Sequence, residues 1–148
     1  MGANWIHGTE DNPILDMAKV TDTAVQGFDH PALIIDENGE PVPTDAASGY
    51  TVMMWNIIED AFAVSNKHGS DIDPAKTLLD FFKEQVPIKV PETEEGYEKK
   101  RRTLLCLAES WGAFVGGPVG RQSLKFFWLE ECIGGGMLLQ RTLKFPAP

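Results

Sequence analysis

The stretch Val52-Met53-Met54-Trp55-Asn56-Ile57-Ile58-Glu59-Asp60-Ala61-Phe62 decides the fold class. Val52, Trp55, Ile58 and Phe62 recur at three- and four-residue steps, which places them on one face of an α-helix, and Met54, Ala61 and Val64 widen that stripe. The pattern predicts a helix from about Asp45 to Lys67, stopped by His68-Gly69. On the C-terminal side, Asp73-Pro74 reads as an N-cap with proline in the first turn. The helix it opens is predicted to bury Leu78, Leu79 and Phe82 and to end before Pro87. A third helix is predicted from about Glu92 to Val115, with Tyr97, Arg101, Leu104, Ala108, Trp111 and Val115 as its stripe. Gly116-Gly117-Pro118-Val119-Gly120 breaks it.

The flanks are less helical. Asn12-Pro13 caps a short predicted helix over Pro13 to Val20. Ala32 to Asp36 is β-branched and runs into Glu37-Asn38-Gly39-Glu40, a short strand and turn. Leu124 to Leu129 is dense in aromatics and reads as a strand or a buried turn, and Gly134-Gly135-Gly136 breaks the chain again. The fold class is therefore α+β, mostly helical, with short strands near both ends.

Composition narrows the function classes. The chain has 148 residues, 43% hydrophobic and 24% charged, as expected of one soluble globular domain. No apolar run reaches the roughly 20 residues of a membrane helix, and no basic segment precedes an apolar one at the start, so a cytoplasmic location is expected. The net charge of -9 repels phosphate backbones and anionic lipid, which argues against nucleic-acid and membrane partners and favours cationic ones. Solubility alone also accounts for that charge. Lys99-Lys100-Arg101-Arg102 is a basic run, but Glu95–Lys99 and Glu98–Arg102 stand four apart in the stabilising order, so a self-paired helix face is expected. The two cysteines, Cys106 and Cys132, sit among apolar residues and are expected to be buried and reduced. His7, His30 and His68 stand at no metal-ligand spacing, so no metal site is expected. No G-x-S-x-G, G-x-x-x-x-G-K or G-x-G-x-x-G motif is present.

Two segments carry a resemblance. Gly2-Ala3-Asn4-Trp5-Ile6-His7-Gly8, followed by Asn12-Pro13-Ile14, is similar to the segment of flavin-dependent amine oxidases that runs beneath the flavin ring, in their polyamine-oxidase-like members. Ser110-Trp111-Gly112-Ala113-Phe114-Val115-Gly116 and Arg121-Gln122-Ser123-Leu124-Lys125-Phe126-Phe127-Trp128-Leu129-Glu130-Glu131-Cys132 resemble the fungal branch of the same family. The resemblance implies an oxidoreductase with FAD as cofactor, oxidising an amine or polyamine to an imine with release of hydrogen peroxide. It assigns Gly2, Ala3, Asn4 and Trp5 to the cofactor and His7 to the catalytic position beside the substrate amine, where an imidazole accepts or holds a proton. Taken without the family, His7 is an exposed loop residue, and Trp111 and Trp128 are core.

The resemblance divides the chain into a partial amine oxidase domain over 1–137 and a divergent tail over 138–148. Within the first, 1–8 is the flavin-facing loop and 45–115 a portion of the helical substrate domain. Glu59, Asp60, Glu130 and Glu131 are candidates by residue type for holding ammonium groups, against the plainer reading of a solvated face. The family binds the FAD pyrophosphate through a G-x-G-x-x-G turn. The chain holds none, so it is expected to retain FAD poorly, to be inactive alone and to expose an apolar patch. The competing reading is a non-enzymatic helical interaction module, a truncated paralogue that pairs with an intact oxidase.

Overall fold

The computed structural model describes residues 5–27, 33–130 and 138–140; Gly2, Ala3, Asn4, His30, Ala32, Glu131, Cys132, Gly134-Gly135-Gly136 and most of the tail lie outside them. The chain divides into two units, Pro31–Glu131, and Met1–His30 with Cys132–Pro148. It is mostly helical.

In the smaller unit, β1 (Trp5–Ile6) and β2 (Val25–Gly27) both pair antiparallel with β3 (Leu138–Gln140), which lies between them. Ile6 stands opposite Leu138, and Gln26 opposite Leu139. Helix α1 (Pro13–Val20) has the predicted bounds, because Asn12 accepts the Ile14 N–H at 2.9 Å and Pro13 has no amide hydrogen to satisfy. Leu15 and Ala18, one turn apart, bury against Ile6, with Val25 packed beside them. Strand β2 carries no alternating apolar signal, and the sequence did not predict it.

The larger unit is built on α2 (Thr44–His68), α3 (Leu78–Lys89) and α4 (Tyr97–Val115). Helix α2 has the predicted span, with Met54, Ile57, Ile58 and Ala61 facing the core. The chain continues from His68 into a 3-10 turn, Gly69–Asp71, instead of reversing at Gly69.

Helix α3 begins four residues later than expected. Asp73 caps only a turn: its Oδ1 accepts the Ala75 N–H at 2.9 Å and its carbonyl accepts the Lys76 N–H at 2.9 Å. The next residues are held extended against a distant segment, with Leu78 N–H bonding to Gln122 O and Leu124 N–H to Lys76 O, both at 2.9 Å. Helix geometry starts only once that pairing ends, at a capping box. Thr77 Oγ1 accepts the Asp80 N–H at 3.1 Å, and Asp80 Oδ2 accepts the Thr77 N–H at 3.0 Å. Pro87 does not end the helix, which runs to Lys89. Val86 and Val90 on either side are buried, and Val90 N–H still bonds to Val86 O at 2.8 Å. Packing outweighs one lost bond in a last turn.

The Thr77 hydroxyl and amide hold the Asp80 carboxyl below the usual carboxylate range. Thr77→Ala is expected to cost about 0.5–2 kcal/mol at neutral pH. A depressed carboxyl contributes stability above its unfolded pKa and loses it as pH falls through the folded one, so the gap between wild type and variant should narrow in acid. Urea melts of both proteins along an acid series measure it.

Helix α4 starts at Tyr97, not near Glu92. Glu94 N–H bonds to Pro91 O and Tyr97 N–H to Glu94 O, two turns that end at Gly96 with φ +73, a conformation open to glycine and costly for other residues. Leu104, Ala108 and Trp111 of the predicted stripe are buried. Leu124–Glu130 forms neither strand nor simple turn but a 3-10 helix that buries Leu124 and Phe127 against α2. The buried Ser65 fixes it, its hydroxyl donating to Lys125 O at 3.3 Å and accepting Trp128 N–H at 3.0 Å. Lys125 Nζ reaches the carbonyls of Ser70 and Ile72 at 3.2 and 3.3 Å. Trp111 is core, as expected, but Trp128 is 43% exposed. Cys106 is exposed, contrary to expectation: the helical turn directs it away from the Leu104–Ala108–Trp111 stripe.

The Ile34–Val42 segment is a tight hairpin with one bridge, Ile35 to Pro41, where a strand was expected from Ala32 to Asp36. Asp36 N–H bonds to Glu40 O at 2.8 Å and Val42 N–H to Ile34 O at 2.8 Å. Its acidic tip supplies the partners of the basic run on α4. Lys99 Nζ lies 3.2 Å from Asp36 and 3.9 Å from Glu37, and Arg102 3.9 Å from Glu37. Lys100 pairs with Glu94 and Arg101 with Glu98. The run is matched by acids, as the sequence suggested, but not through Glu95–Lys99 and Glu98–Arg102.

Candidate functional site

The candidate site sits on the first strand. Trp5 and His7 are exposed on either side of the buried Ile6, the alternation of an extended chain with one face on a core. Trp5 keeps 38% of its surface accessible. Gly8, at φ +76, then turns the chain toward α1.

Asn12 holds this loop. Its Nδ2 donates to the carbonyls of His7 and Gly8, each at 2.9 Å, while its Oδ1 caps α1. One buried carboxamide thus fixes both the loop that carries His7 and the start of the helix, and uses both amide hydrogens to do it. The sequence announced the cap through Asn12-Pro13. It gave no sign of the two loop carbonyls, which a cap residue reaches only when the preceding chain folds back.

Of the candidate site residues, Trp5 and His7 lie within the described structure and Gly2, Ala3 and Asn4 outside it. Trp5 and His7, two residues apart along an extended chain, are both exposed. The described residues of this unit supply no donor set for a pyrophosphate. The first turn of α1, the natural anion site, has Pro13 without an amide hydrogen and the Ile14 N–H already bonded to Asn12.

The acidic candidates lie in the other unit. Glu59 and Glu130 are exposed, Asp60 Oδ2 pairs with Lys89 Nζ at 2.7 Å, and Glu131 lies outside the described residues. Among the described residues no three His, Cys, Asp or Glu side chains cluster to hold a metal ion, and no helix is long and apolar enough to cross a membrane.

In the larger unit, a recess of about 410 Å³ lies between the hairpin and α4, with Ile34, Ile35, Val42 and Leu107 as its apolar lining and Asp36, Lys99 and Arg102 at its edge. The cations there are already matched by Asp36 and Glu37. A second apolar feature is the face joined by Trp55, Trp111 and Phe114. Trp111 meets Trp55 edge-on at 5.9 Å and Phe114 at 5.7 Å, and Val52 lies exposed one turn before Trp55. Compared with protein-family models, with curated proteins and with solved structures, the chain matches none of them.

Proposed function

We propose that the chain is part of an FAD-dependent amine oxidase of the polyamine-oxidase type. The observation that carries this reading is the string Gly2-Ala3-Asn4-Trp5-Ile6-His7-Gly8 with Asn12-Pro13-Ile14 behind it. Bound FAD would take the hydride equivalent from the amine and yield peroxide with oxygen. The geometry that supports it is modest and specific. Asn12 pins the backbone at His7 and Gly8, so the imidazole stands on a fixed loop beside the Trp5 indole. In this reading His7 hydrogen-bonds the neutral amine or takes its proton, Trp5 excludes water, and the helical unit is part of the substrate domain. The fold is mostly helical, and the amine-oxidase assignment rests on the sequence string and not on the fold.

The chain alone is expected to touch the isoalloxazine ring and to lack the grip on pyrophosphate. The free ring should therefore quench tryptophan fluorescence, more weakly after Trp5→Phe. FAD should be lost on desalting, and spermine should yield no peroxide. Absence of quenching overturns the flavin assignment. FAD retention with peroxide formation overturns the inactivity of the isolated chain. In an intact oxidase carrying this loop, His7→Ala is expected to lower turnover by about 10²–10⁴-fold.

The exposed Val52, Trp55 and Phe114, the last two packed on the buried Trp111, favour one further reading, a helical interaction module that pairs with an intact oxidase. Co-purification of the chain with such an oxidase, lost on Trp55→Ala, separates it from the first.

A further inference from the structure

We propose that Asn38-Gly39 is a self-modification site, at which the Asn38 carboxamide is converted to aspartate and isoaspartate without an enzyme. Asn38 and Gly39 occupy the exposed tip of the hairpin, and among the described residues no partner holds the Asn38 carboxamide. Gly39 has φ +82 and open space where a Cβ would stand, so nothing obstructs approach of its nitrogen to the neighbouring side chain. The other asparagines differ. Asn12 precedes Pro13, whose nitrogen carries no hydrogen to lose, and its side chain is held by three hydrogen bonds. Asn56 and Asn66 lie within α2, where the helix occupies the following amide. Asn4 lies outside the described residues and precedes Trp5.

The step is balanced by water alone. Solvent base removes the Gly39 amide proton, and that nitrogen attacks the Asn38 side-chain carbon. A C–N bond forms, and the carboxamide nitrogen departs with a proton as ammonia, leaving a five-membered succinimide. Water opens the ring at one carbonyl to give aspartate or at the other to give isoaspartate, whose main chain is longer by one carbon. The gate is the Gly39 N–H bond to Asp36 O at 3.0 Å, which must open first.

The two products act differently on the fold. Aspartate adds a negative charge beside Asp36 and Glu37, facing Lys99 and Arg102, and keeps the backbone register. Isoaspartate breaks that register. Asp36 Oδ1 accepts the Asn38 and Glu40 amides at 2.9 and 3.2 Å, and a longer chain between them cannot keep both with the Asp36–Glu40 main-chain bond. The hairpin tip then loosens from α4, and the recess behind it opens.

The test is to age the folded full-length chain in mildly alkaline buffer and map amide loss by mass spectrometry, with the same chain in urea beside it. Conversion at Asn38 is expected to exceed that at Asn56 and Asn66 by more than about tenfold, because the helical amides must open further. Both acidic products should appear, and Asn38→Gln should abolish them. Conversion in urea without conversion in the folded chain means that the Gly39–Asp36 bond seals the site and overturns the proposal. Hydrogen exchange reads the consequence: the Asp36 and Val42 amides should exchange faster in the isoaspartyl fraction and unchanged in Asn38→Asp. Equal protection in all three forms overturns the loosening.

Discussion

Phe127→Ala is expected to destabilise the larger unit by about 3–5 kcal/mol, while Phe126→Ala next to it stays within about 0.5 kcal/mol. Phe127 is 1% exposed and Phe126 52%. The Phe127 ring stacks on Phe62 of α2 at 4.4 Å and meets Trp111 of α4 at 5.7 Å, so it joins the 3-10 helix to two long helices at once. Its removal takes away the transfer free energy of a buried ring and leaves a cavity between elements tied down elsewhere by Ser65 and Lys125. The aromatic pairs add about 0.5–1.5 kcal/mol beyond area. Against a typical total of about 5–15 kcal/mol, the loss is a large fraction. Urea denaturation followed by tryptophan fluorescence measures it, since Trp111 lies in the same cluster. Equal effects at 126 and 127 would mean that the 3-10 helix does not pack as described.

The same segment shows why parts of the fold were hard to read in the sequence. Lys125-Phe126-Phe127-Trp128-Leu129 is apolar at nearly every position, and a run without periodicity does not distinguish strand, turn and 3-10 helix. The presence of α2 and α4 was legible because their period repeats over several turns, but the α2 stripe was set off the buried face: Val52 and Trp55 are exposed, while Met54, Ile57, Ile58 and Ala61 are buried. Helix α1 was legible because one cap chooses its start. Helix α3 was misplaced because Asp73-Pro74 is a valid local start signal overruled by pairing with Gln122 and Leu124, nearly fifty residues away. The acidic partners of Lys99 and Arg102 were misassigned for the same reason: a helix face offers neighbours at i+4, and nothing in it names a hairpin tip more than sixty residues earlier. At the candidate site, the motif supplied Trp5 and His7, and the extended alternation around Ile6 explains why both are exposed. The clamp from Asn12 depends on the loop path, which no local pattern encodes.

Gly112→Ala and Gly49→Ala are expected to act in opposite directions. Both glycines lie inside helices, where alanine is favoured by about 0.8–1.0 kcal/mol on propensity alone. A Cβ at Gly49 would meet nothing within 4 Å, so that gain should be realised and the variant should be more stable. A Cβ at Gly112 would lie 2.9 Å from Gly117 O, 3.1 Å from Glu109 Oε2 and 3.3 Å from Val119 N. The glutamate can swing aside, but the other two atoms are backbone. They belong to the turn that reverses the chain after α4, where the Gly116 and Gly117 amides bond to Gly112 O at 3.0 and 2.9 Å. Relief of the clash requires the whole turn to shift. That shift strains Val119, which is fully buried, and Gln122, which accepts from Trp111 Nε1 at 3.0 Å and donates to Gly117 O at 2.6 Å. Overpacking of this kind costs about 1–3 kcal/mol, and at a contact made with backbone the upper half of that range applies, enough to outweigh propensity. Thermal melts of the two variants beside wild type decide it. If Gly112→Ala also gains stability, the turn at Gly117 is not packed against α4, and the short chain path that sets Gln122 opposite Leu78 loses its anchor.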